Sequence, residues 1–130
     1  MARELTEGAS LTGAEPELFV TKIDASVAFF TGKLGFAVAF LYGEPPFYGQ
    51  VTRGAAKLNL RLICEPVFMG DIREREDLLS AAITVTGIDT LFAEFQATGA
   101  LFHQTLRKEP WGARTFIVKD PDGNLILFAE

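Results

Sequence analysis

The 130-residue sequence has one cysteine, Cys64, and one histidine, His103. A lone cysteine excludes an intramolecular disulfide and any multi-cysteine zinc site. No apolar run reaches the ~18 residues of a membrane-crossing helix. The first fifteen residues carry acidic side chains and no apolar stretch, so they do not read as a secretory signal. Basic charge is also short: 12 Lys and Arg stand against 17 Asp and Glu, for a net charge of −5. The basic residues are scattered, without the patch that a nucleic-acid surface needs. Gly-rich phosphate loops and the nucleophile elbow are missing too. The expectation is a soluble cytoplasmic protein with neither nucleic acid nor membrane as partner. Mild acidity suits a cationic small ligand, and equally suits solubility alone.

A composition of 48% hydrophobic and 22% charged residues rules out wholesale disorder. A chain of this length buries roughly two-thirds of its unfolded surface, so it needs no disulfide or metal to fold. Phenylalanine is abundant, with twelve copies. They must fill a core, an interface or an aromatic ligand pocket.

An internal repeat organises the chain. Val20-Thr21-Lys22-Ile23-Asp24 recurs 65 residues later as Val85-Thr86-Gly87-Ile88-Asp89. Helical spacing follows each copy. Asp24 or Ser26 can cap the first helix, Val27, Phe30 and Leu34 form its stripe, and Gly35 stops it. Asp89 or Thr90 can cap the second, Phe92 and Phe95 form its stripe, and Gly99 stops it. The predicted helices are Asp24–Leu34 and Thr90–Thr98. Predicted strands are Leu18–Thr21, Ala37–Tyr42, Tyr48–Thr52 and Lys57–Cys64, then Ile83–Thr86, Leu101–Leu106, Arg114–Lys119 and Asn124–Ala129. Turn signals separate them, including Asp120-Pro121-Asp122-Gly123.

Each half therefore reads β-α-β-β-β, in an α+β protein. One such half exposes an apolar sheet face and must associate with another. Two curved mixed sheets around a cleft follow, and clefts at module junctions bind small ligands. The expected division is a flexible segment 1–14, a first module 15–64, a linker 65–79 and a second module 80–130. The linker, with its charge cluster from Asp71 to Asp77, reads as either a short helix or a loop. Exchanging identical halves between chains predicts a homodimer.

The paired modules carry further motifs. Glu109-Pro110-Trp111-Gly112-Ala113-Arg114-Thr115-Phe116 precedes Asp120-Pro121-Asp122-Gly123-Asn124. Leu18-Phe19-Val20 leads into Ser26-Val27-Ala28-Phe29-Phe30 and Leu34-Gly35-Phe36. In these the chain resembles the vicinal oxygen chelate superfamily over residues 15–130. That superfamily includes glyoxalases, extradiol dioxygenases and bleomycin-resistance proteins. The Pro-Trp-Gly stretch, the ending with Phe128 and Glu130, and Phe47-Tyr48-Gly49-x-Val51 are most similar to the bleomycin-resistance branch.

The resemblance implies where a divalent metal would sit in the enzymes of the superfamily. Those positions fall near Glu15, Ser80, Leu60 and Leu127. Leucine cannot ligate, so no metal, no cofactor and no catalytic residue is expected. His103 and Cys64 read as structural, Cys64 as a small buried hydrophobe. Asp120 and Asp122 read as turn residues that bond their own backbone.

The resemblance also places Phe40, Phe47, Tyr48 and Trp111 on the cleft, where flat heteroaromatic ligands can stack and cations can sit over rings. Core packing is the competing reading for each. Arg114 is the candidate for an anionic group, against a solvated strand arginine. The expected function is binding and sequestration of a small, aromatic or cationic, antibiotic-like molecule without chemical change. Ala39 stands where an acid would suit a basic drug. The alternatives are a metal-dependent glyoxalase or dioxygenase with an unusual ligand set, and a scaffold with no ligand.

Overall fold

The computed structural model describes residues 8–68 and 70–130. The first seven residues of the expected flexible segment lie outside it. Gly8–Pro16 runs without regular secondary structure, and most of it is exposed. The first half then forms β1 (Glu17–Val20), α1 (Ile23–Gly32), β2 (Ala37–Tyr42), β3 (Tyr48–Arg53) and β4 (Ala56–Leu62). A short α2 (Ile72–Arg75) follows. The second half forms β5 (Leu79–Thr84), α3 (Ile88–Thr98), β6 (Phe102–Lys108), β7 (Arg114–Lys119) and β8 (Leu125–Ala129). Each half closes its own four-stranded sheet, in the orders β1-β4-β3-β2 and β5-β8-β7-β6. In both, the strand before the helix pairs in parallel with the last strand, and the other pairs are antiparallel. The α+β reading and the order β-α-β-β-β hold in both halves. No helix is long and apolar enough to cross a membrane among the described residues.

Period-two alternation puts Leu18, Val20, Val51, Leu58 and Leu60 on the helix side of the first sheet, where they are buried with Phe30 and Leu34. In the second sheet Phe116, Val118, Ile126 and Phe128 do the same beneath Ile88 and Phe95. The two layers merge into one core. Most phenylalanines are used there. Phe92, Phe95, Phe102, Phe116 and Phe128 form a ring cluster with centroid distances of 4.9–5.8 Å.

The strand expected at Ile83–Thr86 lies earlier, at Leu79–Thr84. Gly87, in the left-handed region at φ +87°, is the residue from which α3 starts, so Val85 and Thr86 belong to the connection. The strand thus begins inside the expected linker, and the linker also contains α2.

The expected caps are replaced. Helix α1 starts after the extended residue Lys22, whose carbonyl accepts the Ser26 N–H. Among the described residues Asp24 accepts only the Ala25 N–H, and the buried Ser26 Oγ has no hydrogen-bond partner. At α3, Asp89 and Thr90 are inside the helix. Its N-terminus is capped by Glu130, whose carboxylate accepts the N–H groups of Gly87 and Ile88 at 3.2 and 2.9 Å. A negative charge at a helix N-terminus is favoured by the orphan N–H groups and the dipole.

These N–H donors hold the Glu130 carboxyl below its usual range. A depressed folded pKa gives stability that is present above the unfolded pKa and lost as pH falls through the folded one. Glu130→Gln is therefore expected to lower the urea midpoint at neutral pH. The difference from the parent should shrink as pH falls through the lowered range of the folded carboxyl, where it becomes protonated. A constant difference across that range would refute this role.

Hydrogen bonds and an ion pair join the modules. Arg53 reaches Glu94 of α3 through two contacts of 2.7 and 2.9 Å and donates to the Leu34 carbonyl. Gly35 makes room for it. At φ +72° a side chain is strained there, and a Cβ would stand 2.9 Å from the Arg53 Nη1. The Asp120–Asn124 turn closes the far end. Asp122 accepts the Thr21 N–H and hydroxyl, and Asn124 donates to the Phe19 carbonyl.

Asp120, at the root of that turn, is 3% exposed. Its carboxylate accepts the N–H groups of Asp122 and Asn124 and the Asn124 amide. These donors favour the ion, but burial outweighs them and pushes the carboxyl up to about 6. A raised folded pKa means stability that is complete below the unfolded value near 4 and falls as pH rises through about 6. The expected loss over that window is about 3 kcal/mol. Asp120→Asn should flatten it in urea titrations at successive pH values. An unchanged slope would refute the assignment.

Candidate functional site

The strand run Leu58-Asn59-Leu60 buries its leucines on the helix side, so Asn59 projects from the opposite, open face of the first sheet. The register then aligns two rows across that face. Glu17, Asn59, Gln50 and Phe40 form one row, on β1, β4, β3 and β2. Phe19, Arg61, Tyr48 and Tyr42 form the other.

A hydrogen-bond network orders the polar members. Asn59 donates to Glu17 at 2.9 Å, and Tyr48 donates its phenol proton to the same Glu17 oxygen at 2.9 Å. Gln50 donates to the Asn59 carbonyl oxygen at 2.9 Å and to Glu15 at 3.1 Å. The bond to Glu17, with lesser help from burial and the negative charges nearby, raises the Tyr48 pKa, so the phenol stays protonated and donating. Glu15 and Glu17 thus stand as two acidic groups beside an aromatic surface. Phe40 is 43% exposed, with its ring centroid 6.1 Å from that of Tyr48.

The predicted site residues fare differently. Phe40 and Tyr48 are neighbours on the open face. Phe47 lies on the adjoining β2–β3 turn, exposed, with its ring edge-on to Tyr42 at 5.6 Å. Trp111 belongs to the other module. It is 75% exposed on the β6–β7 turn, where Gly112 at φ +103° lets the chain reverse. Core packing is excluded for Trp111. Arg114 shares its strand side with Phe116 and Val118, towards α3, and is gripped by Asp89 at 2.6 and 2.8 Å. It does not reach the aromatic face.

Sequence reasoning missed Glu17, Gln50 and Asn59. The one available signal was a polar residue between two strand leucines, which marks a residue facing away from the core. Carboxylates reach this face from Glu17 on β1 and from Glu15 just before it.

The positions aligned for a metal do not fit one. Leu60 is in the core, and its neighbour Asn59 is the residue paired with Glu17. In the second sheet Ala82 pairs with Leu127 at the matching place, and neither can ligate. Ser80 donates to Asn124. Among the described residues no three of His, Cys, Asp and Glu are placed to hold one ion. His103 binds Asp77 at 2.7 Å, joining β6 to the segment after α2. Cys64, expected to be buried, is exposed, because the last strand of the first module ends at Leu62 and the chain leaves the sheet.

A separate groove of about 850 Å³ runs between the modules, and none of the five predicted ligand residues lines it.

Comparison with known proteins adds a family to this geometry. A family model described as "Glyoxalase/Bleomycin resistance protein/Dioxygenase superfamily" matches residues 13–128. Bleomycin resistance proteins of Geobacillus stearothermophilus and Staphylococcus aureus are each 32% identical over 126 residues, covering 88% of this chain and 93% of theirs. Among solved structures, a bleomycin-binding protein from the bleomycin producer Streptomyces verticillus, complexed with copper(II)-bleomycin, is 27% identical. The match covers 93% of this chain and 97% of that one, with a TM-score of 0.74. A bleomycin resistance determinant encoded on a transposon shares the fold at 17% identity and a TM-score of 0.75, covering 92% and 98% of the two chains.

Proposed function

Because the chain belongs to the glyoxalase/bleomycin resistance protein/dioxygenase superfamily, we propose that it binds and sequesters a bleomycin-like molecule, flat and aromatic with a cationic group, without metal catalysis. The observation that carries this reading is the open face of the first sheet. Phe40 and Tyr48 offer rings for stacking, while Glu15 and Glu17, oriented by Asn59 and Gln50, offer negative charge for a cation. Aromatic stacking contributes about 0.5–1.5 kcal/mol beyond burial, and a cation over an exposed ring about 0.5–1 kcal/mol. Capture in the cytoplasm would keep such a molecule from its target. The resistance relatives support this choice over an enzymatic one.

Trp111 and the aromatic face belong to different modules of one chain. We propose that a homodimer, with modules paired between copies, brings them to one cleft. Exchange of identical halves is a low-cost route to a symmetric pair. Light scattering at micromolar concentration should give a dimer, and a stable monomer would overturn this assembly.

Calorimetric titration of metal-free and metal-loaded protein with bleomycin tests the function. Saturable binding, unaffected by a chelator and with the ligand recovered unchanged, is the expected result. A glyoxalase or dioxygenase activity lost to chelator and restored by metal would overturn it. So would failure to bind any cationic aromatic antibiotic in a thermal-shift screen.

A further inference from the structure

Resting on the reading that the open face of the first sheet holds a flat aromatic cation, we propose that the molecule bound there also carries an anionic group, which Arg61 selects. The ligand class is then an aromatic zwitterion, with its cation at Glu17 and a carboxylate or similar anion at the Arg61 guanidinium. Arg61 lies on the open side of β4, since it alternates with the buried Leu60 and follows Asn59 by two residues. In register it stands between Phe19 of β1 and Tyr48 of β3. Its charge reaches the Tyr48 phenol: the hydrogen bond to Glu17 raises that pKa, and the Arg61 cation pulls against it.

Both signs of charge on this face are left for a ligand. Glu17 accepts from the Asn59 amide and the Tyr48 phenol, and Glu15 from the Gln50 amide. These donors are neutral, so the carboxylates keep their charge. Arg61 is exposed, and among the described residues no ion pair or hydrogen bond engages its guanidinium. Its planar fork of N–H donors matches the two oxygens of a carboxylate. A purely cationic ligand stacked on Phe40 and Tyr48 meets this guanidinium as a like charge, whereas a zwitterion meets it as a partner. Lys57, the other cation on the open side of β4, pairs in register with Thr52, away from the rings. A ligand stacked on Tyr48 therefore reaches Arg61 first. Asn59 and Arg61 are roughly 7 Å apart along the strand, which sets the scale of separation between the ligand's opposite charges.

Calorimetric titration with ciprofloxacin, a flat heteroaromatic carboxylate bearing a piperazinium cation, tests this against its methyl ester. The parent protein should bind the acid about tenfold more tightly than the ester, the scale of one hydrogen bond to a charged group. Arg61→Gln should erase that preference by weakening the acid alone, and Arg61→Lys should keep part of it. Bleomycin carries no carboxylate, so its affinity for Arg61→Gln should match or exceed that for the parent. Lys57→Gln should leave the preference for the acid intact. The proposal is overturned by equal affinity for acid and ester in the parent, by an equal loss of both in Arg61→Gln, or by the same loss in Lys57→Gln. It is also overturned if Arg61→Gln dissociates a dimer, which would give the guanidinium a carboxylate of the partner subunit instead. Bleomycin binding without ciprofloxacin binding overturns this inference alone. Failure of bleomycin and of both ciprofloxacin forms to bind overturns the antibiotic reading with it.

Discussion

Replacing Phe116 with alanine is expected to destabilise the protein by about 3–5 kcal/mol, the scale for removing a buried aromatic side chain. Phe116 is 0% exposed. Its ring stands 5.1–5.8 Å from those of Phe92, Phe95, Phe102 and Phe128, stacked on the last and tilted or edge-on to the others. Truncation therefore removes transfer energy and leaves a cavity between β7 and α3. The surrounding strands are hydrogen-bonded on both sides, which limits collapse into the space. A urea titration that compares Phe116→Ala with Phe40→Ala checks this. Phe40 sits on an edge strand and is 43% exposed, so its loss should change stability by less than about 1 kcal/mol. Equal losses at the two positions would show that the second-module ring cluster does not hold the core.

The second large effect concerns binding. Trp111→Ala is expected to weaken the proposed bleomycin complex by about 1–3 kcal/mol, the worth of a large aromatic contact. The fold should survive, because the side chain is 75% exposed on a turn and packs into no core. As the only tryptophan, it also reports its own contact. Its emission should change on saturation with bleomycin in the parent protein. Unchanged affinity and emission would remove Trp111 from the site. Loss of the folded state would contradict its exposure. The same titration with Tyr48→Phe separates stacking from the hydrogen bond to Glu17: affinity should fall less than in Tyr48→Ala, since the ring remains.

Local signals placed most of the elements. Helices α1 and α3 follow from apolar residues at spacings of three and four, and Gly99, at φ +79°, ends α3 where a glycine was expected to stop it. Strands β2 and β7 begin and end at the predicted residues. The site was less legible. Phe40 and Tyr48 stood out as aromatics on strands, but Glu17 and Asn59 are 42 residues apart. Only the parallel pairing of β1 with β4 puts them in one row. Arg114 read either as an anion contact or as a solvated strand arginine. Its partner Asp89 is 25 residues away on α3.

The caps divide in the same way. A glycine stop acts through its own φ angle, so it is visible in the residue itself. The Glu130 cap acts on a helix that begins 42 residues earlier, and no local pattern announces it. The sequence by itself determined the repeat, the β-α-β-β-β order and which faces are apolar, because these depend on backbone preference and side-chain period over a few residues. Tertiary structure alone decided which carboxylates meet which donors, which rings are left exposed and where the groove between the modules opens. Those outcomes depend on strand register and module docking, where contacts across dozens of residues outweigh local propensity.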